Sequence, residues 1–274
     1  MSLKWLTFII VLFVFIFLLA RIYYDTNTFK INKIEFHSDK ISKGSEITIL
    51  QISDVHNKAF RDHNEKLLHT VEELHADIIV ITGDLIDRRT AKFENVYYLI
   101  DQLTAINENV YFVSGNHEWE NVNTHEFFDG LQKRNVTILD NGNKQLTLNH
   151  AVFNLVGVAD FSTNHENVDQ AFLTTNNELY TIMLSHSPDI IKQFEMIQAD
   201  LILSGHTHGG QVRLPFIGAV VAPDQGLFPK LDKGIYRLKE NQHLYIDSGL
   251  GTSVIPIRFL NQSQISLITI VNNS

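Results

Sequence analysis

From Trp5 to Ala20 the chain reads WLTFIIVLFVFIFLLA, without a charge and apolar around every face of a helix rather than along one stripe. At about 1.5 Å per residue this run is slightly short for a hydrocarbon core of roughly 30 Å, but Lys4 and Arg21 flank it and can snorkel, and Tyr23 and Tyr24 suit the interface. Residues 1–24 therefore read as one uncleaved membrane-spanning helix. A secretory signal is the competing reading, yet the apolar stretch is long and no small-x-small cleavage site precedes Arg21. Residues 25–32 are polar and read as a linker to a domain covering 33–274. Orientation balances the amino terminus and Lys4 against Arg21, Lys30 and Lys33; we read a single-pass cell-membrane protein with its domain facing outward.

After the linker, short β-branched runs alternate with amphipathic stretches. IEFHS and EITILQIS read as strands, with turn signals at Ser42 to Ser45. Asn64 to His75 reads as a helix carrying Leu67, Leu68, Val71 and Leu74 on one face, followed by the strand DIIVITGD. The cycle repeats with helices at Phe93 to Ile106 and Thr124 to Lys133, each followed by a strand, NVYFVSG and VTILD. QLTLNH and AVFNLVGVAD predict a hairpin, and YTIMLSH and ADLILSG are strands around a helix near Ile190 to Met196. GIYRLK, HLYID and ISLITIV close the chain as strands. Early βαβα followed by antiparallel strands predicts a mixed-sheet sandwich with outer helices.

At 274 residues such a domain buries a core large enough to need neither disulfide nor structural metal. The chain has no cysteine, so any metal site must be built from nitrogen and oxygen donors. A formal charge of -9 repels phosphate backbones, and no basic run offsets it, so nucleic acid is not an expected partner.

The buried strands all run into residues of one chemical kind. ILQIS leads to Asp54-Val55-His56, IIVIT to Gly83-Asp84-Leu85-Ile86-Asp87, VYFVS to Gly115-Asn116-His117-Glu118, TIMLS to His186, and LILS to Gly205-His206-Thr207-His208. Each cluster alone has a bland explanation: Asp84 as a helix cap, Gly115-Asn116 as a turn, His186 as a hydrogen-bonded structural histidine. Caps and turns give no reason for every buried strand to end in a metal-ligand type, and strand carboxyl ends converge on one crevice in α/β folds. In extended backbone His206 and His208 point to one side, about 6.6 Å apart at Cα. That spacing suits two adjacent ions, each taking one imidazole, an arrangement that clamps phosphoryl oxygens. Gly205, Gly209 and Gly210 would leave room for a substrate.

The set D-x-H, GD-x-x-D, GNH-[DE], a lone His and GH-x-H, in order from Asp54 to His208, resembles the calcineurin-like metallophosphoesterases. The resemblance implies an α/β fold, a four-layer α/β/β/α sandwich of mixed sheets with a dinuclear site at the strand C-terminal ends. By it, Asp54, His56, Asp84 and His208 would bind one divalent ion and Asp84, Asn116, His186 and His206 the other. His117 would be the acid-base histidine and Asp87 the carboxylate that orients it. Oxygen and nitrogen ligands suit manganese, zinc or iron. Each ion lowers the pKa of bound water, so a metal-bound hydroxide could attack phosphorus while His117 protonates the leaving oxygen.

Arg88 stands where some phosphatases of this superfamily place a phosphate-binding arginine; a solvated surface arginine is the alternative. Glu118 takes a position where the family often has Asp. The tail IDSGLGTSVIPIRF and the stretch GHTHGGQVRLP resemble a membrane-anchored bacterial branch whose relatives include proteins similar to UDP-2,3-diacylglucosamine hydrolases. There, Gly249 to Ser253 reads either as a site loop or as an ordinary turn, and Arg258 either as a phosphate sensor or as the partner of a carboxylate. The expectation is a membrane-tethered hydrolase of phosphodiester or pyrophosphate linkages, with a lipid-linked or envelope substrate. A phosphoprotein or phosphomonoester phosphatase and a non-catalytic metal-bound scaffold are the alternatives.

Overall fold

Strand alternation decides where each apolar side chain goes. In the computed structural model, which describes residues 2–60, 62–192, 197–253 and 255–272, helix α1 (Leu3–Asn27) leads into β1 (Phe29–His37), β2 (Glu46–Ile52), α2 (Glu65–Glu73), β3 (Ile78–Thr82), α3 (Glu94–Ile106) and β4 (Val110–Val113). There follow α4 (Asn116–Trp119), α5 (Thr124–Gln132), β5 (Thr137–Ile138), β6 (Gly142–Leu148), β7 (Ala151–Val158), α6 (Val168–Phe172), β8 (Tyr180–Ser185) and β9 (Leu201–Ser204). Two small hairpins come next, β10 (Arg213–Leu214) with β11 (Gly218–Ala219) and β12 (Val221–Ala222) with β13 (Gly226–Leu227). The chain ends in β14 (Gly234–Lys239), β15 (Gln242–Ile246) and β16 (Ser263–Val271).

Two six-stranded mixed sheets result, ordered β1-β16-β2-β3-β4-β5 and β14-β15-β9-β8-β7-β6. On β2, Ile47 and Ile49 enter the core between the sheets while Leu50 and Ile52 meet the outer helices; on β3, Ile78 and Val80 face inward and Ile79 and Ile81 outward. α2, α3 and α5 cover the first sheet through Leu67, Leu99 and Phe127. Ala171 of α6 and Ile190 of a short 3-10 turn (Pro188–Lys192) cover part of the second. The layers are α/β/β/α, as expected. Beneath the site, the buried Gln51 amide donates across the sandwich to Thr82 Oγ1 (2.9 Å) and to the Ser204 carbonyl (3.0 Å), pinning the two sheets together where β2, β3 and β9 end.

Two expectations change. Residues 25–32 are no linker: α1 continues to Asn27, β1 starts at Phe29 and pairs with β16, and Asp25 is fully buried. Polarity there marks hydrogen bonding rather than flexibility, for Arg258 N donates to Thr26 Oγ1 at 2.8 Å and Lys58 Nζ to the Thr26 carbonyl at 2.5 Å. The helix expected near Ile190 to Met196 is the 3-10 turn at its start, and residues 193–196 lie outside the described residues. α1 is long and apolar enough to cross a membrane, with a mean hydropathy of 2.7 and none of that window buried.

Candidate metal centre

The strands of the two sheets that run parallel deliver their last residues to one edge, and there the backbone turns sharply. Asp54, His56, Asp84, His206 and His208 all adopt positive φ, between 49° and 70°. Such a conformation costs a non-glycine residue about 1–3 kcal/mol, and Asp and His are among the types that tolerate it. This overturns the extended-backbone reading of His206 and His208. The chain coils through Thr207 instead, and the two imidazoles join different groups of donors.

Asp54, His56, Asp84 and His208 form the first group, their donor atoms within 4.8 Å of one another. His56 Nε2 faces His208 Nε2 at 3.2 Å and Asp84 Oδ2 at 3.5 Å, and His208 Nε2 lies 3.6 Å from Asp54 Oδ1. Asp84, His186 and His206 form the second group, so Asp84 is shared. The His117 backbone N–H occupies Asp84 Oδ1 at 3.0 Å, which leaves Oδ2 facing His56 and His186. His186 donates from Nδ1 to the Thr82 carbonyl at 2.8 Å and so aims Nε2 at the Asp84 carboxylate (3.3 Å) and at His206 Nδ1 (3.1 Å). His206 is held the same way from behind, its Nε2 against Asp224 Oδ2 at 2.7 Å. Oriented imidazoles of this kind, with one nitrogen tied to an oxygen and the other aimed inward, are typical of metal ligands.

Burial is the largest influence on the protonation of these groups. It pushes the Asp54 carboxyl up to about 6 against the pull of His186 and His56 down to about 4. It also holds His208 well below the usual imidazole range, with His56 and Arg258 acting in the same sense. At Asp84 burial is outweighed by His186 and His56, which keep the carboxyl well below its ordinary value; at His186 the contact with Asp84 overrides burial and raises the imidazole. An ionised Asp84 beside neutral His56 and His208 is the donor state that divalent cations require. The buried Asn116 Oδ1, among the described residues, has no hydrogen-bond partner and adds an oxygen donor without charge. The donor set fits two divalent ions of the manganese, iron or zinc type.

Beside the first group, His117 packs edge-on against His56 with ring centroids 4.6 Å apart. Its Nδ1 stands 3.3 Å from Asp87 Oδ2 and 3.1 Å from the Arg88 backbone N–H, and its Nε2 faces Arg88 Nη2 at 3.1 Å. A neutral imidazole satisfies one Nδ1 contact at a time; donation to Asp87 leaves Nε2 free to accept from Arg88. Burial, only partly offset by Asp84, lowers the His117 pKa. The half-exposed Arg88 also pairs with Glu120 at 2.9 Å. These groups open on a cleft of about 540 Å³ that includes Asp84, Asn116, His206, His208 and Asp224, with Val221, Ala222, Pro223 and Ile255 as its apolar wall.

Three supporting residues have roles that the sequence pattern does not disclose. Asp224 sits in an ordinary-looking Pro-Asp-Gln-Gly turn. Glu118, fully buried, accepts from the N–H groups of Asp84 (2.9 Å), Gly115 (2.8 Å) and Ile86 (3.2 Å), so it ties the loops after β3 and β4 together. Arg258 is fully buried and donates to the carbonyls of Gly251 (2.8 Å), Ser248 (2.6 Å) and His208 (3.4 Å), with the carboxylates of Asp54, Asp247 and Asp25 as favourable charge neighbours. The signal was present, since Arg258 is the lone charge after Asp247. The glycines also serve differently from expectation. A Cβ on Gly205 would meet Ser53 Oγ at 1.9 Å and Asp54 Oδ2 at 2.4 Å, and one on Gly249 (φ +70°) would meet Asp54 Cβ at 2.6 Å. Gly205 and Gly249 thus make room for Asp54, and of the other two glycines expected to open substrate space, Gly209 lies against Asn261 and Ser248 and Gly210 against Ala219.

A family profile described as calcineurin-like phosphoesterase matches residues 47–210, the stretch from β2 to just past His208. The Bacillus subtilis metallophosphoesterase YkuE is 28% identical over 226 residues, covering 81% of this chain and 78% of its own length. YkoQ of the same organism is 27% identical over 259 residues, covering 92% and 94%. Among solved structures, the NAD nucleotidase NadN of Haemophilus influenzae aligns with a TM-score of 0.52 at 15% identity, over 76% of this chain and 46% of that one. At that identity the likeness speaks for the fold alone.

Proposed function

We propose that this chain, which belongs to the calcineurin-like phosphoesterase family, hydrolyses phosphodiester or pyrophosphate linkages with the help of two divalent cations. The observation that carries the reading is the pair of donor groups sharing Asp84, with the unpartnered Asn116 oxygen beside them and His117 at their rim. Asp54, His56, Asp84 and His208 would hold one ion, and Asp84, Asn116, His186 and His206 the other. When bound, the ions supply positive charge to phosphoryl oxygens and acidify water. His117, oriented through Nδ1 by Asp87, stands at the rim of the donor groups; once it has taken up a second proton, its Nε2–H would pass that proton to the leaving oxygen as the P–O bond breaks, which returns the ring to the neutral form.

Charge in the cleft favours a diester over a monoester. Among the described residues lining it, Arg88 is the sole Lys or Arg; it is paired with Glu120, and Asp224 adds further negative charge. A dianionic monoester would meet a weak grip there, whereas a monoanionic diester needs less compensation, and Val221, Pro223 and Ile255 suit an apolar substituent. The test is hydrolysis of bis-p-nitrophenyl phosphate against p-nitrophenyl phosphate with manganese, by the full chain in mild detergent. Diester turnover that exceeds monoester turnover and disappears in Asp84→Asn supports the reading. His117→Ala should lose about 10²-fold or more on alkyl esters and less on nitrophenyl esters, whose leaving oxygen needs no proton. A folded, metal-loaded protein without turnover on any ester would favour a binding scaffold instead.

A further inference from the structure

α1 is not a loose tether. Its last turn is fixed by Thr26 to Arg258 N and Lys58 Nζ, and Gln262 Nε2 donates to Thr28 Oγ1 at 2.7 Å. The loop that receives it, residues 255–259, is stitched to the chain entering the hairpins: Gln211 Nε2 donates to the Ile255 carbonyl at 2.6 Å, Phe259 N to the Gln211 carbonyl at 3.0 Å, and Arg213 N to the Phe259 carbonyl at 3.0 Å. From that junction the two hairpins project, and their outer positions are apolar. Phe216 is fully exposed at 109%, Leu227 is 70% exposed, and Ile217 and Phe228 are also exposed. Of the two charged residues in the segment from Val212 to Pro229, Arg213 pairs with Asp232 at 2.6 Å and the half-exposed Asp224 with His206 at 2.7 Å. The hairpin tips, Phe216-Ile217 and Leu227-Phe228, thus carry no charge, while Val221, Ala222 and Pro223 wall the cleft.

We infer that the β10–β11 and β12–β13 hairpins dock onto the lipid surface from which α1 emerges, so that the metal cleft opens against the bilayer and takes an amphiphile with a phosphoester headgroup. Continuity selects this occupant: the apolar hairpins spring from the segment bonded to the same loop, 255–259, that receives the last turn of the helix. Phe216 stands at the turn between β10 and β11 with its side chain fully exposed, and the polar layer that such a tip must enter is roughly 5–8 Å deep on each face of a bilayer. A contiguous exposed apolar patch beside a site marks an interaction surface, and phenylalanine at such a tip gains from insertion at the boundary with the acyl chains. The substrate class rests on the phosphoesterase reading above; the docking does not.

Because the chain has no cysteine, single cysteines report position cleanly. The full chain is placed in vesicles of phosphatidylethanolamine and phosphatidylglycerol, with an environment-sensitive fluorophore at Phe216→Cys, at Phe228→Cys, and at Leu173→Cys as a control that is 80% exposed beyond α6. Spin-labelled lipid should quench the first two probes at least threefold more than the third. Equal quenching at all three overturns docking, and disulfide capture of Phe216→Cys between copies without quenching assigns the surface to a second copy of the chain. In the same vesicles the Phe216→Ser/Phe228→Ser variant should keep its rate on soluble bis-p-nitrophenyl phosphate and lose about tenfold on dioleoyl-phospho-p-nitrophenol held in the bilayer. Equal losses on both esters overturn the substrate assignment. If the unaltered protein hydrolyses neither ester while the quenching pattern holds, the phosphoesterase reading fails and the docking surface stands.

Discussion

Gly205→Ala tests whether the turn after β9 is glycine because the Asp54 carboxylate fills the space. The added methyl would lie 1.9 Å from Ser53 Oγ and 2.4 Å from Asp54 Oδ2, whereas non-bonded heavy atoms rest at about 3.5 Å, so the carboxylate must retreat by roughly 1 Å. Ser53 must also turn away, and its 2.5 Å hydrogen bond to Asp54 Oδ2 is lost. A bond to a charged acceptor contributes about 1.5–3 kcal/mol, which in a domain of this size lowers the thermal midpoint by roughly 3–12 °C. Misplacing a ligand by about 1 Å can cost around 10²-fold in rate. We expect kcat/KM on bis-p-nitrophenyl phosphate to fall by that factor, with reduced bound metal by elemental analysis. Gly142→Ala serves as the control, because its Cβ would meet only the Leu139 carbonyl, at 3.6 Å. Ser53→Ala combined with Gly205→Ala removes the nearest clash and should recover part of the loss, a coupling that a double-mutant cycle reads directly. Wild-type turnover and metal content in Gly205→Ala would refute the reasoning.

Asp224→Asn should weaken the hold on His206 and raise the manganese concentration for half-maximal activity by about 10–100-fold, with activity restored at saturating metal; an unchanged half-saturation point would remove Asp224 from the centre. Burial, reinforced by Arg258, pushes Lys58 down to about 7, while an unfolded lysine keeps its proton up to about 10.4. The folded chain therefore binds fewer protons than the unfolded one between those values, so this lysine's contribution to stability rises with pH from about 7 and levels off near 10. Thermal midpoints of the wild type minus those of Lys58→Met, taken in mild detergent at pH 6.5 and pH 9, should grow with pH, and a flat difference would count against it.

What could be read from the chain alone was whatever depends on neighbours in sequence. The run Ile78 to Thr82 followed by Gly-Asp announces a buried strand delivering a carboxylate, and the same grammar recurs at Asn116, His186 and His206. Failures came where a role depends on a residue far along the chain. Arg258 serves carbonyls at Ser248, Gly251 and His208, and nothing in its own flanks says that these will surround it. Asp224 lies 18 residues from His206 in a segment that pattern reading treats as loop. At His206-Thr207-His208 the strand pattern predicts extended backbone, whereas positive φ at both histidines ends the strand. Residues 25–32 misled because polarity resembles flexibility until the partners at Lys58, Arg258 and Gln262 are known.

The seam at Gln51 has a consequence for how such a protein would age in a cell. One sheet and its loops contribute Asp54, His56, Asp84 and Asn116, and the other contributes His186, His206 and His208. Each cation would be a rivet driven through both halves, so that end of the sandwich holds as firmly as the metal supply allows. An ion present at 100 times its dissociation constant adds about 2.7 kcal/mol of cohesion, a large fraction of the margin by which most domains stay folded. Scarcity would then do more than slow turnover: it would loosen the loops that carry the ligands and expose them to proteases. Abundance of the protein would track the availability of its metal without any dedicated sensor.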